Sequence, residues 1–122
     1  MNRELKFRAV AMSGECVYGN FIHSKRFTGC SNEYRIVEQD TGLEHDVLIG
    51  TIGQFAGLQD KNGKDIYEGD ILRGPWETTL KVYFDLNRLQ YRGRLDTGNN
   101  REIDYYGLSA IEIISNIHGI KN

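Results

Sequence analysis

At 122 residues and 39% hydrophobic content, the chain holds apolar material for one modest core and little for a second. A formal net charge of -2 argues against coating nucleic acid or anionic membrane by bulk attraction, a mode that needs a clear excess of Lys and Arg. The 14 Gly, 1 Pro, 7 Tyr and 5 Phe, set among many Ile, Val and Thr, favour pleated surfaces joined by tight turns, so a mostly β chain is expected.

Near the start, Leu5, Phe7 and Ala9 alternate with Lys6, Arg8 and Val10. That period of two predicts a first strand with apolar groups on one face and charges on the other. The same stretch carries Arg3, Glu4, Lys6 and Arg8 and no uninterrupted apolar run. Neither a secretory leader nor a membrane-spanning helix is therefore expected; the chain is placed in the bacterial cytoplasm, with Cys16 and Cys30 as reduced thiols. Ser13-Gly14-Glu15 supplies turn chemistry, and 16–22 is expected to return as the partner strand. The polar stretch 23–33 reads as a loop before a short strand at 34–38.

Asp40-Thr41-Gly42 marks another turn, and the apolar segment 47–55, broken by Gly50 and Gly53, reads as a bent strand. Asp60-Lys61-Asn62-Gly63-Lys64 is the clearest reversal, since Asn and Gly tolerate positive φ, and Leu58 and Ile66 should flank its hairpin. Glu68-Gly69-Asp70 forms a second compact turn before the strand Ile71-Leu72-Arg73, which Gly74-Pro75 stops because Pro cannot donate to a ladder. The segment 78–84 places Leu80, Val82 and Phe84 on one side, and Leu89, Tyr91 and Leu95 repeat the pattern after a turn around Asn87. Gly98-Asn99-Asn100 opens a loop, 103–106 reads as a short strand, and 108–117 as a strand or a single helical turn entering one. No repeat or linker divides the chain. It reads as one unit, 1–122, with a soft boundary near Gly53 between N-terminal strands (1–53) and a C-terminal portion (54–122).

The run IGQFAGLQDKNGKDIYEGDILR, residues 52–73, closely resembles the signature segment of YopX-like proteins of bacteriophages and prophages. The matching positions are Gly57, Leu58, Asp60, Asn62 and Gly63 in the hairpin, then Ile66, Tyr67, Glu68, Gly69 and Asp70. Leu5-Lys6-Phe7-Arg8-Ala9 is similar to the family's opening strand, and 113–117, with Asn116, to its closing element. Val10 stands where the family often has Trp, and Ala56 where it often has Thr. The resemblance implies a compact β architecture, with a small SH3-type barrel in the C-terminal part, and a phage or prophage source. It brings no catalytic set, and a shared barrel does not fix function.

Asp60, Asp65, Glu68 and Asp70 are the first place to look for metal or acid-base chemistry. Asp60 and Asn62 nevertheless fit turn positions whose side chains bond local amides, and this structural reading is preferred. With Gly63 at the sixth position of a calcium loop, the first would be Leu58, which offers no carboxylate. Cys16, His23, Cys30 and His45 contain metal-capable atoms but form no Cys-x-x-Cys knuckle, and a Cys–His nucleophilic pair is left open. His118 reads as a structural edge residue rather than a base.

Lys81, Arg88, Arg92, Arg94 and Arg101, interleaved with Tyr83 and Tyr91 and set against Asp85 and Asp96, form the best nucleic-acid candidate. Alternation sends Gln90, Arg92 and Arg94 to the face opposite Leu89 and Tyr91, although charges that protect an edge strand would give the same pattern. Trp76, after Gly74-Pro75, reads either as an exposed protein-contact residue or as a cap on the core. The leading expectation is a non-enzymatic accessory module that binds a host or phage protein and uses no metal or cofactor. A DNA- or RNA-binding module ranks second and a metal-dependent enzyme at the acidic turn third. Open strand edges are compatible with a homo-oligomer.

Overall fold

Turn chemistry sets the punctuation of the chain, and between turns it is extended. A computed structural model describes residues 6–23, 34–95 and 97–118. Its strands are β1 (Phe7–Val10), β2 (Cys16–His23), β3 (Tyr34–Val37), β4 (Glu44–Asp46), β5 (Gly53–Gln59) and β6 (Asp65–Tyr67). They continue with β7 (Asp70–Arg73), β8 (Thr79–Asp85), β9 (Gln90–Leu95), β10 (Asn100–Glu102) and β11 (Glu112–Asn116). Single 3-10 turns occupy Ile49–Thr51 and Leu108–Ala110, and a tight left-handed turn at Pro75–Glu77 joins β7 to β8. No helix among the described residues is long and apolar enough to cross a membrane.

The strands pair antiparallel in two sheets, ordered β4-β3-β2-β1-β5-β6 and β10-β9-β8-β7-β11. The chain divides into two compact units between Gln54 and Phe55. In the first, Ala9, Ala11, Val17, Ile36 and Val47 form the core, with Phe7, Phe21, Tyr34 and Ile52 packed on it. A Cβ on Gly19 would meet the Val37 carbonyl oxygen at 2.1 Å, so only glycine lets β2 and β3 approach this closely. In the second, Ile66, Leu72, Leu80, Val82, Ile103 and Ile111 form a separate core, backed by Leu58, Tyr91, Leu95 and Ile113 among others.

Several expectations are corrected. Arg8 is 1% exposed and does not face water with the other charges of its strand: Arg8 and Ala9, on opposite faces of β1, are both buried, so both faces are covered there. The segment 47–55 is not one bent strand. The Thr51 hydroxyl donates to the Leu48 carbonyl (2.7 Å) and accepts from the Val10 amide (2.9 Å), and these bonds wind Ile49–Thr51 into a 3-10 turn before β5 begins. Leu89 leaves the alternation: it sits at φ 53° in the β8–β9 turn, 73% exposed. Residues 103–106 are a turn following β10, although Ile103 is buried. Neither sheet closes into a barrel: the second ends at the three-residue β10 on one side and at β11, whose register shifts between Ile113 and Ser115, on the other. The terminal segment takes the second of its two expected forms, Leu108–Ala110 as one 3-10 turn leading into β11. The loop predicted at 23–33 starts one residue early, since His23 is the last residue of β2; its remainder, 24–33 with Cys30, lies outside the described residues.

Candidate interaction surfaces

The signature turn is built around one carboxylate. Asp60 Oδ1 accepts from the amides of Asn62 (2.9 Å) and Lys64 (3.0 Å), while Oδ2 accepts from the amide of Ile113 (3.0 Å). Burial alone would raise the Asp60 pKa; the Ile113, Lys64 and Asn62 amides and the Lys64 charge outweigh it and hold the carboxyl below its ordinary range. Gly63, at φ 77°, takes the left-handed position the reversal needs. Asp70, wholly buried, accepts from the Tyr67 amide at 2.8 Å and so closes the second turn. Asp65 accepts from the Gln59 side-chain amide. Among the described residues no three His, Cys, Asp or Glu side chains form a group that could hold a metal ion. Asp60, Asp65 and Asp70 thus turn toward backbone and neighbouring strands, and Ile66 and Tyr67 are buried.

In the first unit, Cys16 and His45 line one cleft of about 480 Å³. His45 Nε2 is committed to Glu38, 2.5 Å away, and His23 stacks on Tyr34 with ring centres 4.4 Å apart. The backbone amide of His118 donates to Asn116 Oδ1.

The basic strip of the sequence is divided by the sheet. Strand register places Lys81 opposite Arg94, and Tyr83 opposite Arg92, on the face away from the Leu80–Val82 core. Tyr91 faces inward and packs edge-on against Phe84, ring centres 5.0 Å apart. Arg88 is held in the turn by Asp85 (2.8 Å), and the guanidinium of Arg101 lies 4.5 Å over Tyr105. Four of the seven strip residues, Lys81, Tyr83, Arg92 and Arg94, thus share a face.

Trp76 stands at the tip of the β7–β8 hairpin, 88% exposed. The hairpin is closed by Gly74 N–H to the Thr78 carbonyl (2.7 Å) and Thr78 N–H to the Pro75 carbonyl (3.1 Å). Trp76 and Glu77 are both left-handed, φ 56° and 60°, as the two central residues of a type I′ turn must be. The exposure of Trp76 excludes its reading as a cap on the core.

The family model described as YopX protein matches residues 6–119. The chain belongs to the YopX family. No curated protein matches it. The match takes in the YopX signature turn, the β8–β9 face and the Trp76 hairpin alike. Among these, sequence reasoning missed the reach of Asp60 to Ile113, a contact 53 residues away that no local pattern signals. It also missed the left-handed backbone of Trp76 and Glu77, which carry none of the usual Asn or Gly that mark such a turn.

Proposed function

We propose that this chain is a non-enzymatic phage or prophage accessory module that binds a protein partner through the Trp76 hairpin tip. The observation that carries the reading is an 88% exposed indole on a backbone that side-chain-bearing residues rarely adopt. Two consecutive left-handed non-glycine residues cost about 1 kcal/mol or more each, and strain of this kind is retained where it aims a side chain. Tryptophan is the residue most enriched among binding hot spots, and a short hydrogen-bonded turn loses little freedom when it is captured. The β7–β10 meander, whose first strand is also paired by the last strand after a single 3-10 turn, supports an SH3-type reading of the second unit; the function proposed here rests on the tip and not on that likeness.

The test is capture from bacterial lysate with wild-type protein and Trp76→Ala, each with and without nuclease. A protein partner retained after nuclease and lost from the Ala variant is the expected result. Adding that partner should also shift the emission of this single tryptophan to shorter wavelength, as the indole leaves water. The reading fails if both proteins retain the same partners, or if everything captured disappears with nuclease.

A further inference from the structure

Charges on an edge strand are commonly there to stop sheets from pairing, but Lys81 and Arg94 are on β8 and β9, both interior strands of the five-stranded sheet. Edge protection therefore does not account for them. They are register partners, and like charges directly opposite one another destabilise a sheet. Neither makes an ion pair with a described carboxylate. Of the acids near this face, Asp85 is engaged by Arg88 (2.8 Å) and Arg92 (4.0 Å), Glu112 is engaged by Lys61 (3.2 Å), and Glu102 stands opposite Arg92 on β10. Arg92, nearly buried, is further fixed by Asn100 (2.7 Å) and Gln90 (2.5 Å) and is not free for a ligand. Arg73, on the neighbouring strand β7, pairs in register with Thr79, which precedes Lys81 by one outward position.

We propose that this face binds the phosphate backbone of a single-stranded nucleic acid, with Lys81 and Arg94 as its centre and Arg73 extending the track. The two central cations line a groove of about 320 Å³ with Thr79 and Gly98 and an apolar floor from Ile71 and Leu95. The guanidinium of Arg94 lies 4.5 Å over the Tyr83 ring, which orients its plane while leaving N–H groups for an oxyanion. The three cations stand on three adjacent strands: Lys81 and Arg94 are direct partners across the sheet spacing of about 4.8 Å, and Arg73 lies diagonally one outward position along on β7. A track of this kind suits a chain of phosphodiesters, whereas a phosphopeptide needs several cations converging on one dianion. The site shares no residue with the Trp76 contact and stands or falls separately from it.

Fluorescence anisotropy of a labelled short oligothymidylate with the full chain at low salt tests the assignment. Binding should weaken with salt along a log–log slope of about -2, as expected for three neutralised phosphates on a single strand. Lys81→Ala and Arg94→Ala should each reduce that slope by about 0.7, and Lys81→Glu/Arg94→Glu should cost about tenfold or more in affinity while circular dichroism stays that of the wild type. Trp76→Ala should bind as the wild type does. No binding at low salt, equal binding by the charge-reversed variant, or equal loss in Trp76→Ala would overturn the proposal. So would a phosphopeptide or inorganic phosphate that binds the groove while the oligonucleotide fails to compete.

Discussion

Asp60 and Asp65 are five positions apart in one acidic turn, yet their surroundings give them different weights. Asp60 satisfies three amides, one of them on β11, so its removal leaves three donors to find water at once. Asp65 accepts from the exposed side-chain amide of Gln59 on its partner strand. Asp60→Ala should therefore lower stability by about 1–3 kcal/mol, and Asp65→Ala by about 0.5 kcal/mol or less, read as the urea midpoint at unchanged slope. Equal losses would show that the turn is not organised around Asp60. The local half of this arrangement was legible in the sequence, because Asp and Asn ahead of Gly signal side-chain-to-amide bonding over two to four residues. The Ile113 bond was not, since it depends on how β11 returns. Arg8 was misread for a related reason: alternation says which residues share a face but not whether that face is covered.

At the scale of elements, the turns were readable where glycine or asparagine marks the reversal, as at Gly14, Gly42 and Gly63, each of which sits at positive φ. β4 was not, because Glu44-His45-Asp46 has no apolar alternation and is a strand through its pairing with β3. The β7–β8 hairpin is the reverse case: Gly74-Pro75 was read only as the end of a strand, and the central residues of its turn argue against the type the turn adopts. Replacing Trp76 and Glu77 together by Asn and Gly, the pair that type I′ turns prefer, should relieve the left-handed strain and raise stability by about 1 kcal/mol or more. Thermal melting followed by circular dichroism would measure the gain. An unchanged or lower midpoint would mean that the tip carries no strain, and would remove the main support for its role as a display element.

At the scale of the whole molecule, the sequence led to the right class of structure, a mostly β chain. It gave no means of deciding whether a sheet closes, because closure depends on the pairing of strands distant in the chain. Titration behaviour is also a property of the whole, since acidification protonates carboxylates throughout a chain whose formal charge is only -2. Two of them are bound more strongly in the folded state. For Asp60, burial opposes ionisation but the Ile113, Lys64 and Asn62 amides and the Lys64 charge prevail. For Asp85, burial is again the opposing effect, overcome by the Arg88 side chain and the amides of Arg88 and Asn87. Both carboxyls thus have folded pKa values below their unfolded ones. Each contributes its full stabilisation above the unfolded value, near 3.9, and loses it as pH falls through the lower, folded value. Melting temperature should accordingly be flat from neutral pH down to about 5 and fall below about 4. Asp60→Asn keeps an acceptor without the charge, so it should start lower and descend less steeply, with its curve approaching that of the wild type in acid. Parallel curves across the whole range would show that the charge on Asp60, as opposed to its shape and hydrogen-bonding oxygens, contributes nothing to the fold.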